Sequence, residues 1–116
     1  MVSRGEVHWL EVPDLGRRPV LVLTATELVA SLRRVVVVGL TTTVRGVATE
    51  VAVDVDDGVD RPGVVNLLDL RVVPTALLVE RMTTLSPVRM MEVCAALAFT
   101  TGCGGQSPQY RTAVRG

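Results

Sequence analysis

The sequence predicts an α+β domain in which short strands close into a small barrel with one C-terminal helix packed on it. Three observations predict this. Apolar residues make up 48% of the 116 residues, valine dominates and only three residues are aromatic, a β-branched bias that favours strands. The apolar residues fall in short runs broken by Pro, Gly and Asp, as in Val12-Pro13-Asp14-Leu15-Gly16. Near the end, Ser86-Pro87 opens a stretch without a breaker until Gly102.

Glu6 to Leu10 reads as the first strand, with Val7 and Trp9 on one face and His8 and Leu10 on the other. Trp9 is most simply a core residue; the alternative is a platform on which a base stacks. His8 is expected at the surface or an interface. After the loop at 12–16, Arg17-Arg18 leads into a second strand, Pro19 to Thr24, whose unbroken apolar run predicts burial on both faces. Thr24-Ala25-Thr26-Glu27 matches a capping box and predicts a helix to about Leu32, with Leu28 and Leu32 facing inward.

Val35 to Leu40 is the strongest strand signal and should be central. It stops at Thr41-Thr42-Thr43, where the strand leaves the core. Val44-Arg45-Gly46 reads as a turn. Glu50 to Val55 alternates like a half-exposed strand, with Val51, Val53 and Val55 on one face, and Asp56-Asp57-Gly58 turns the chain. Gly63 to Leu67 and Asp69 to Val73 form two strands or one bent strand, with Asn66 exposed. Pro74 begins a short turn or helix through Leu78, and Arg81 to Leu85 is the last strand. Ser86 as N-cap and Pro87 at the first helical position start a helix to about Thr101, with Val88, Met91, Ala95 and Ala98 on one face and Gly102 as its stop. These elements make one domain, 1–103. The tail, 104–116, is rich in Gly, Ser, Pro and Gln and is expected to be disordered.

Composition excludes several classes. Two cysteines and a single histidine provide neither a disulfide framework nor a zinc site, and the acidic cluster at 54–60 lacks the ligand spacing of a calcium loop. No metal or other cofactor is therefore expected. No apolar run approaches the roughly 18 residues that span a bilayer. The N-terminal stretch lacks a signal-peptide core, so a cytoplasmic protein is expected, with no membrane partner. Formal net charge is zero, yet all twelve basic residues are arginine and several lie in the first half, so the zero total can hide a basic face. Arg17 and Arg18 stand at the mouth of a rigid strand. An arginine there can hold a phosphate through two parallel hydrogen bonds, the plain alternative being a solvated loop end.

Several segments occur in a telling order. They are Arg4-Gly5-Glu6-Val7, Arg18-Pro19-Val20-Leu21-Val22-Leu23, Val35 through Thr41, Arg45-Gly46 with Thr49-Glu50-Val51, Val64-Val65-Asn66-Leu67 with Leu70-Arg71, and Leu85-Ser86-Pro87 with Ala96-Leu97. On these segments the chain resembles the MazF/PemK family of toxin endoribonucleases, with an actinobacterial flavour. The resemblance implies an SH3-like barrel, a homodimer, metal-independent cleavage of single-stranded RNA at short sequences, and a cognate antitoxin with an acidic disordered segment. It implies Arg18 as the catalytic arginine, directly before the strand's proline, and Thr41 as the catalytic threonine ending the central strand. Arg17, Thr42, Thr43, Arg45 and Trp9 become candidate RNA contacts, and an acidic antitoxin segment could mask Arg17, Arg18 and Arg45.

The chemistry suits these residue types. Attack by a 2′-hydroxyl creates a phosphorane with extra negative charge, which a fixed arginine and a hydroxyl donor stabilise more than the ground state. Arginine is a poor general base, so the base is His8, Glu50 or solvent. Two other readings stand beside this one: a non-enzymatic barrel toxin that poisons gyrase through protein contacts, and an inactive homologue that only binds RNA or antitoxin.

Overall fold

The computed structural model describes residues 1–103, and the tail expected to be disordered lies outside the described residues. Six strands form one antiparallel curled sheet: β1 (Glu6–Val12), β2 (Gly16–Val22), β3 (Arg34–Thr41), β4 (Glu50–Val53), β5 (Gly63–Pro74) and β6 (Leu78–Thr84). A single-turn helix α1 (Thr26–Val29) joins β2 to β3, and α2 (Pro87–Thr101) follows β6. The strand order is β4-β5-β3-β2-β1-β6, so β2 and β3, which carry the runs Val20–Leu23 and Val35–Leu40, are central.

Both central strands are buried on both faces, as their unbroken apolar runs predict. Leu21, Leu23, Val38 and Leu40 join one core, which α2 covers with Val93 and Ala96. Val20, Val22, Val35 and Val37 join a second core on the opposite face with Leu10, Val29 and Leu78. The side chains of β2 and β3 are thus fixed by packing on two sides, and only the strand ends are free to present polar groups.

β2 begins at Gly16, earlier than expected, because Arg17 and Arg18 already pair with Glu11 and Leu10 of β1. Pro19 lies just beyond the point where the β2–β3 ladder stops, at Val20↔Gly39, so its missing N–H costs no bond there. β5 is one bent strand. Its pairing with β3 runs from Arg34↔Pro74 to Val38↔Leu70, then jumps to Gly39↔Asn66, which leaves Leu67, Leu68 and Asp69 as a bulge.

Four expectations are corrected. The capping box at Thr24–Glu27 does not form: the Thr24 hydroxyl accepts from Val36 N at 2.7 Å and the Thr26 hydroxyl from Arg4 N at 3.0 Å. Both hydroxyls are committed to tertiary partners, and the helix makes one turn, burying Val29 while Leu28 and Leu32 stay exposed. Val55 is also exposed, since the chain leaves β4 for a 3-10 turn at Val55–Asp57. The Ser86 cap and Pro87 start of α2 are as expected, with Ser86 Oγ accepting from Arg89 N at 3.1 Å. The face it buries is not: Val93 and Ala96 point inward, with Met90 and Leu97 partly buried beside them, while Val88, Met91 and Ala95 face out.

His8 is the fourth correction. It is buried between Val20 of β2 and Arg81 of β6, with Nε2 2.8 Å from Glu6 Oε1 and a buried Nδ1 that has no partner among the described residues. Burial works to raise the Glu6 carboxyl, but hydrogen bonds from His8 and the Ser3 N–H, with the charges of His8 and Arg81, outweigh it and hold the carboxyl below its ordinary value.

Candidate active site

The sheet register brings the two principal site residues together. Val20, Leu21 and Val22 pair with Gly39, Val38 and Val37, so each residue lost from β2 matches one gained on β3. Two steps past the last pair, this register sets Arg18 opposite Thr41, on the face that Val20 and Gly39 share. The ladder has ended there, the two strand ends part, and Arg18 and Thr41 stand on the two sides of the gap.

Both residues line two clefts that open on either side of them. The first, about 340 Å³, has an apolar floor that includes Leu40, Val53 and Val64, and Trp9, Thr42, Asp60 and Arg61 stand around it. The second, about 400 Å³, is polar: Arg18, Arg45 and Arg71 face Glu50 and Asp69, with Thr43 and Asn66 between. Three arginines against two carboxylates leave this cleft net positive, a local charge invisible in the chain's zero total.

Each side chain has a definite state. Thr41 Oγ1 accepts from Thr43 N at 3.1 Å, which leaves its O–H to donate outward. Gly63 lets the start of β5 lie against this point, since a Cβ there would sit 2.3 Å from the Thr41 carbonyl oxygen. Arg18 is half exposed, and its Nη2 is 3.4 Å from Asp69 Oδ2, a long contact that leaves most of its donors available. Trp9 is half-buried at the cleft wall, so it is neither wholly core nor wholly free.

Arg17 lies apart from both clefts. Its guanidinium sits over the Trp9 ring, 5.4 Å from the centroid, and pairs with Glu80 at 3.0 Å and Glu11 at 3.6 Å. It braces the tryptophan from the side. Thr42 and Trp9 thus belong to the first cleft, Thr43 and Arg45 to the second, and Arg17 to the support behind.

The two side chains that are candidates for the base differ in their placement. Glu50 accepts from the backbone N–H of Arg45 at 3.1 Å and of Gly46 at 3.0 Å, so its carboxylate closes the 42–49 loop. His8 lines neither cleft. Sequence reasoning missed Asp60, Arg61, Asn66, Asp69 and Arg71 as cleft residues. One signal for Asp69 was present: Gly39 interrupts a valine strand, and an isolated glycine in a strand marks a close approach by another group.

The curled sheet carries a net-positive polar cleft across its parted strand ends, a surface suited to an anionic ligand. The family model of PemK-like, MazF-like toxins of type II toxin–antitoxin systems matches residues 3–100. A probable endoribonuclease MazF5 of Mycobacterium tuberculosis is 41% identical over 102 residues, 87% of this chain and 94% of that protein. Among solved structures, the M. tuberculosis toxin MazF-mt6 superposes with a TM-score of 0.77 at 31% identity, covering 84% of this chain and 96% of that one. An endoribonuclease in complex with its cognate antitoxin, from a mycobacterial species, superposes with a TM-score of 0.82 at 27% identity, covering 90% and 99%. The chain belongs to the PemK-like, MazF-like toxin family.

Proposed function

We propose that this protein is the toxin of a type II toxin–antitoxin system, acting in the cytoplasm as a metal-independent endoribonuclease on single-stranded RNA. The observation that carries the reading is the placement of Arg18 and Thr41 on the two sides of the gap between the ends of β2 and β3. A phosphodiester laid over that gap meets a permanent cation on one side and a hydroxyl donor on the other. The neighbouring 2′-oxygen forms a bond to phosphorus, the bond to the 5′-oxygen breaks, and the products are a 2′,3′-cyclic phosphate and a 5′-hydroxyl end. Arg18 and Thr41 hold the charge that builds on the phosphorane oxygens, the 2′-hydroxyl proton passes to solvent, and the leaving 5′-oxygen takes up a proton from solvent. Needing that hydroxyl makes the reaction specific for RNA over DNA.

The flanking clefts serve binding. A base enters the first cleft against Trp9, and the adjoining backbone crosses Arg45 and Arg71 in the second. Two copies associate through the exposed apolar face of α2, which carries Val88, Met91 and Phe99. The cognate antitoxin lays an acidic segment over Arg18 and Arg45, and cleavage of cellular RNA inhibits translation and growth when that partner is lost.

The test is incubation of the protein with long single-stranded RNA and EDTA, beside Arg18→Ala and a fully 2′-deoxy strand. Discrete fragments with cyclic-phosphate ends are expected only from native protein and RNA. Undiminished cleavage by Arg18→Ala refutes the site. Absence of cleavage in every lane refutes the enzymatic reading in favour of a binding toxin.

A further inference from the structure

The bulge in β5 turns the Asp69 carboxylate back over β3, and Gly39 makes the place where it lies. A Cβ on Gly39 would fall 2.0 Å from Asp69 Oδ2 and 3.0 Å from its Cγ. The neighbouring positions Val37 and Val38 are wholly buried valines, so the gap is a local feature of an otherwise filled strand. The carboxylate is mostly buried, with its side chain 22% exposed. Oδ1 accepts from Arg71 Nε at 2.7 Å and Oδ2 from Arg18 Nη2 at 3.4 Å. One carboxylate thus bridges two guanidinium groups on different strands, and both arginines remain nearly half exposed toward the polar cleft.

We propose that Asp69, seated over Gly39, is a positioning residue that holds Arg18 and Arg71 as one unit facing the scissile phosphate. This rests on the nuclease reading above. Arginine is among the side chains with most rotamer freedom to lose, and an unheld guanidinium at a strand end must be ordered in every catalytic cycle. A bridging carboxylate orders it beforehand and keeps the pair net positive. Because the Arg18 contact is long and uses one nitrogen, the remaining donors stay directed at the cleft. The bulge and the glycine are two separate departures from regular strand structure, and both serve the same carboxylate.

The experiment compares full-length Asp69→Asn, Gly39→Ala and native protein in two measurements. In RNA cleavage, both variants lose kcat by on the order of 100-fold, the cost of a misplaced catalytic group. KM falls in Asp69→Asn, because a negative charge has left the cleft, and does not fall in Gly39→Ala, which keeps that charge and only dislodges it. A structural defect alone lowers the active fraction without tightening KM. In ¹⁵N NMR of the arginine side chains, the Arg18 guanidinium is ordered in native protein and becomes mobile in both variants, while Arg45 is unchanged.

An unchanged or raised kcat in Asp69→Asn overturns the proposal, as does an Arg18 guanidinium equally ordered with and without the carboxylate. Asp69→Asn is nearly isosteric and keeps the test decisive if Gly39→Ala does not fold. If native protein cleaves no RNA, the nuclease reading fails, and the NMR comparison still decides whether Asp69 holds Arg18.

Discussion

Gly63→Ala tests whether the packing of β5 against the end of β3 sets the position of the Thr41 hydroxyl, the group proposed to act in catalysis. The added Cβ would lie 2.3 Å from the Thr41 carbonyl oxygen, 3.0 Å from its carbonyl carbon and 3.3 Å from Thr42 Cα. A carbon rarely approaches a carbonyl oxygen closer than about 3.3 Å, so the two strands must separate by about 1 Å. The clashing atoms are backbone, so no side chain can rotate away to relieve the contact. Inserting a methyl into a filled site costs about 1–3 kcal/mol, which leaves a marginally stable domain folded but lowers its melting temperature. The same displacement moves Thr41 relative to Arg18, and a shift of about 1 Å in a catalytic group lowers turnover by on the order of 100-fold. The assay is cleavage of single-stranded RNA well below the melting midpoint, with the folded fraction measured by circular dichroism in the same buffer. Folded Gly63→Ala protein that cleaves at the native rate refutes the argument that Thr41 is fixed by this approach.

Three further outcomes are expected. Thr41→Val retains the fold but loses about 100- to 1,000-fold in kcat, the usual cost of one donor to a developing oxyanion, whereas Thr41→Ser retains most of the activity; equal rates for both variants would remove the hydroxyl from the chemistry. Trp9→Ala weakens binding of a non-cleavable 2′-O-methyl RNA by about 10- to 100-fold, the worth of one stacked base, and Trp9→Phe restores most of it, as fluorescence anisotropy would read. Asp57→Asn lowers stability at neutral pH by about 2 kcal/mol, since the carboxylate accepts from Asp54 N at 2.9 Å and from Arg89 Nε at 3.1 Å. Burial works to raise the Asp57 carboxyl, but these bonds and the Arg89 charge hold it below its ordinary 3.8. A depressed folded value stabilises above the unfolded one and ceases to as pH falls through the folded one. The gap in chemical-denaturation midpoint between native and variant is therefore constant from neutral pH to about pH 5 and closes below about pH 4.

Most of the scaffold was legible because period and composition agree along β2 and β3. Six apolar residues between Arg34 and Thr41 cannot face water on either side, so a central strand was the available answer. The Ser86-Pro87 start of α2 was legible for a local reason, since a cap needs only its own helix. The capping box at Thr24 failed for the opposite reason: Val36 N and Arg4 N, distant in sequence, took the hydroxyls that the box requires. The inward face of α2 was misread because both of its faces are apolar. Only the position of the sheet decides that Val93 and Ala96 go inside while Val88 and Met91 do not.

The candidate site divides along the same line. The family resemblance singles out Arg18 and Thr41 as candidates, and the sheet register brings the two to one gap, because a fixed register carries strand order past the last ladder pair. His8 and Glu50 attracted attention as titratable groups. One is enclosed between β2 and β6, and the other is occupied by a loop's backbone. Asp69 escaped notice because its position depends on a bulge, and a bulge has no period to read. Its trace in the sequence is an absence, the side chain that Gly39 lacks. A glycine inside a valine strand costs stability and packs nothing, so its presence points to whatever fills the space. Here that filler is a carboxylate between two arginines, beside the gap where the strands part.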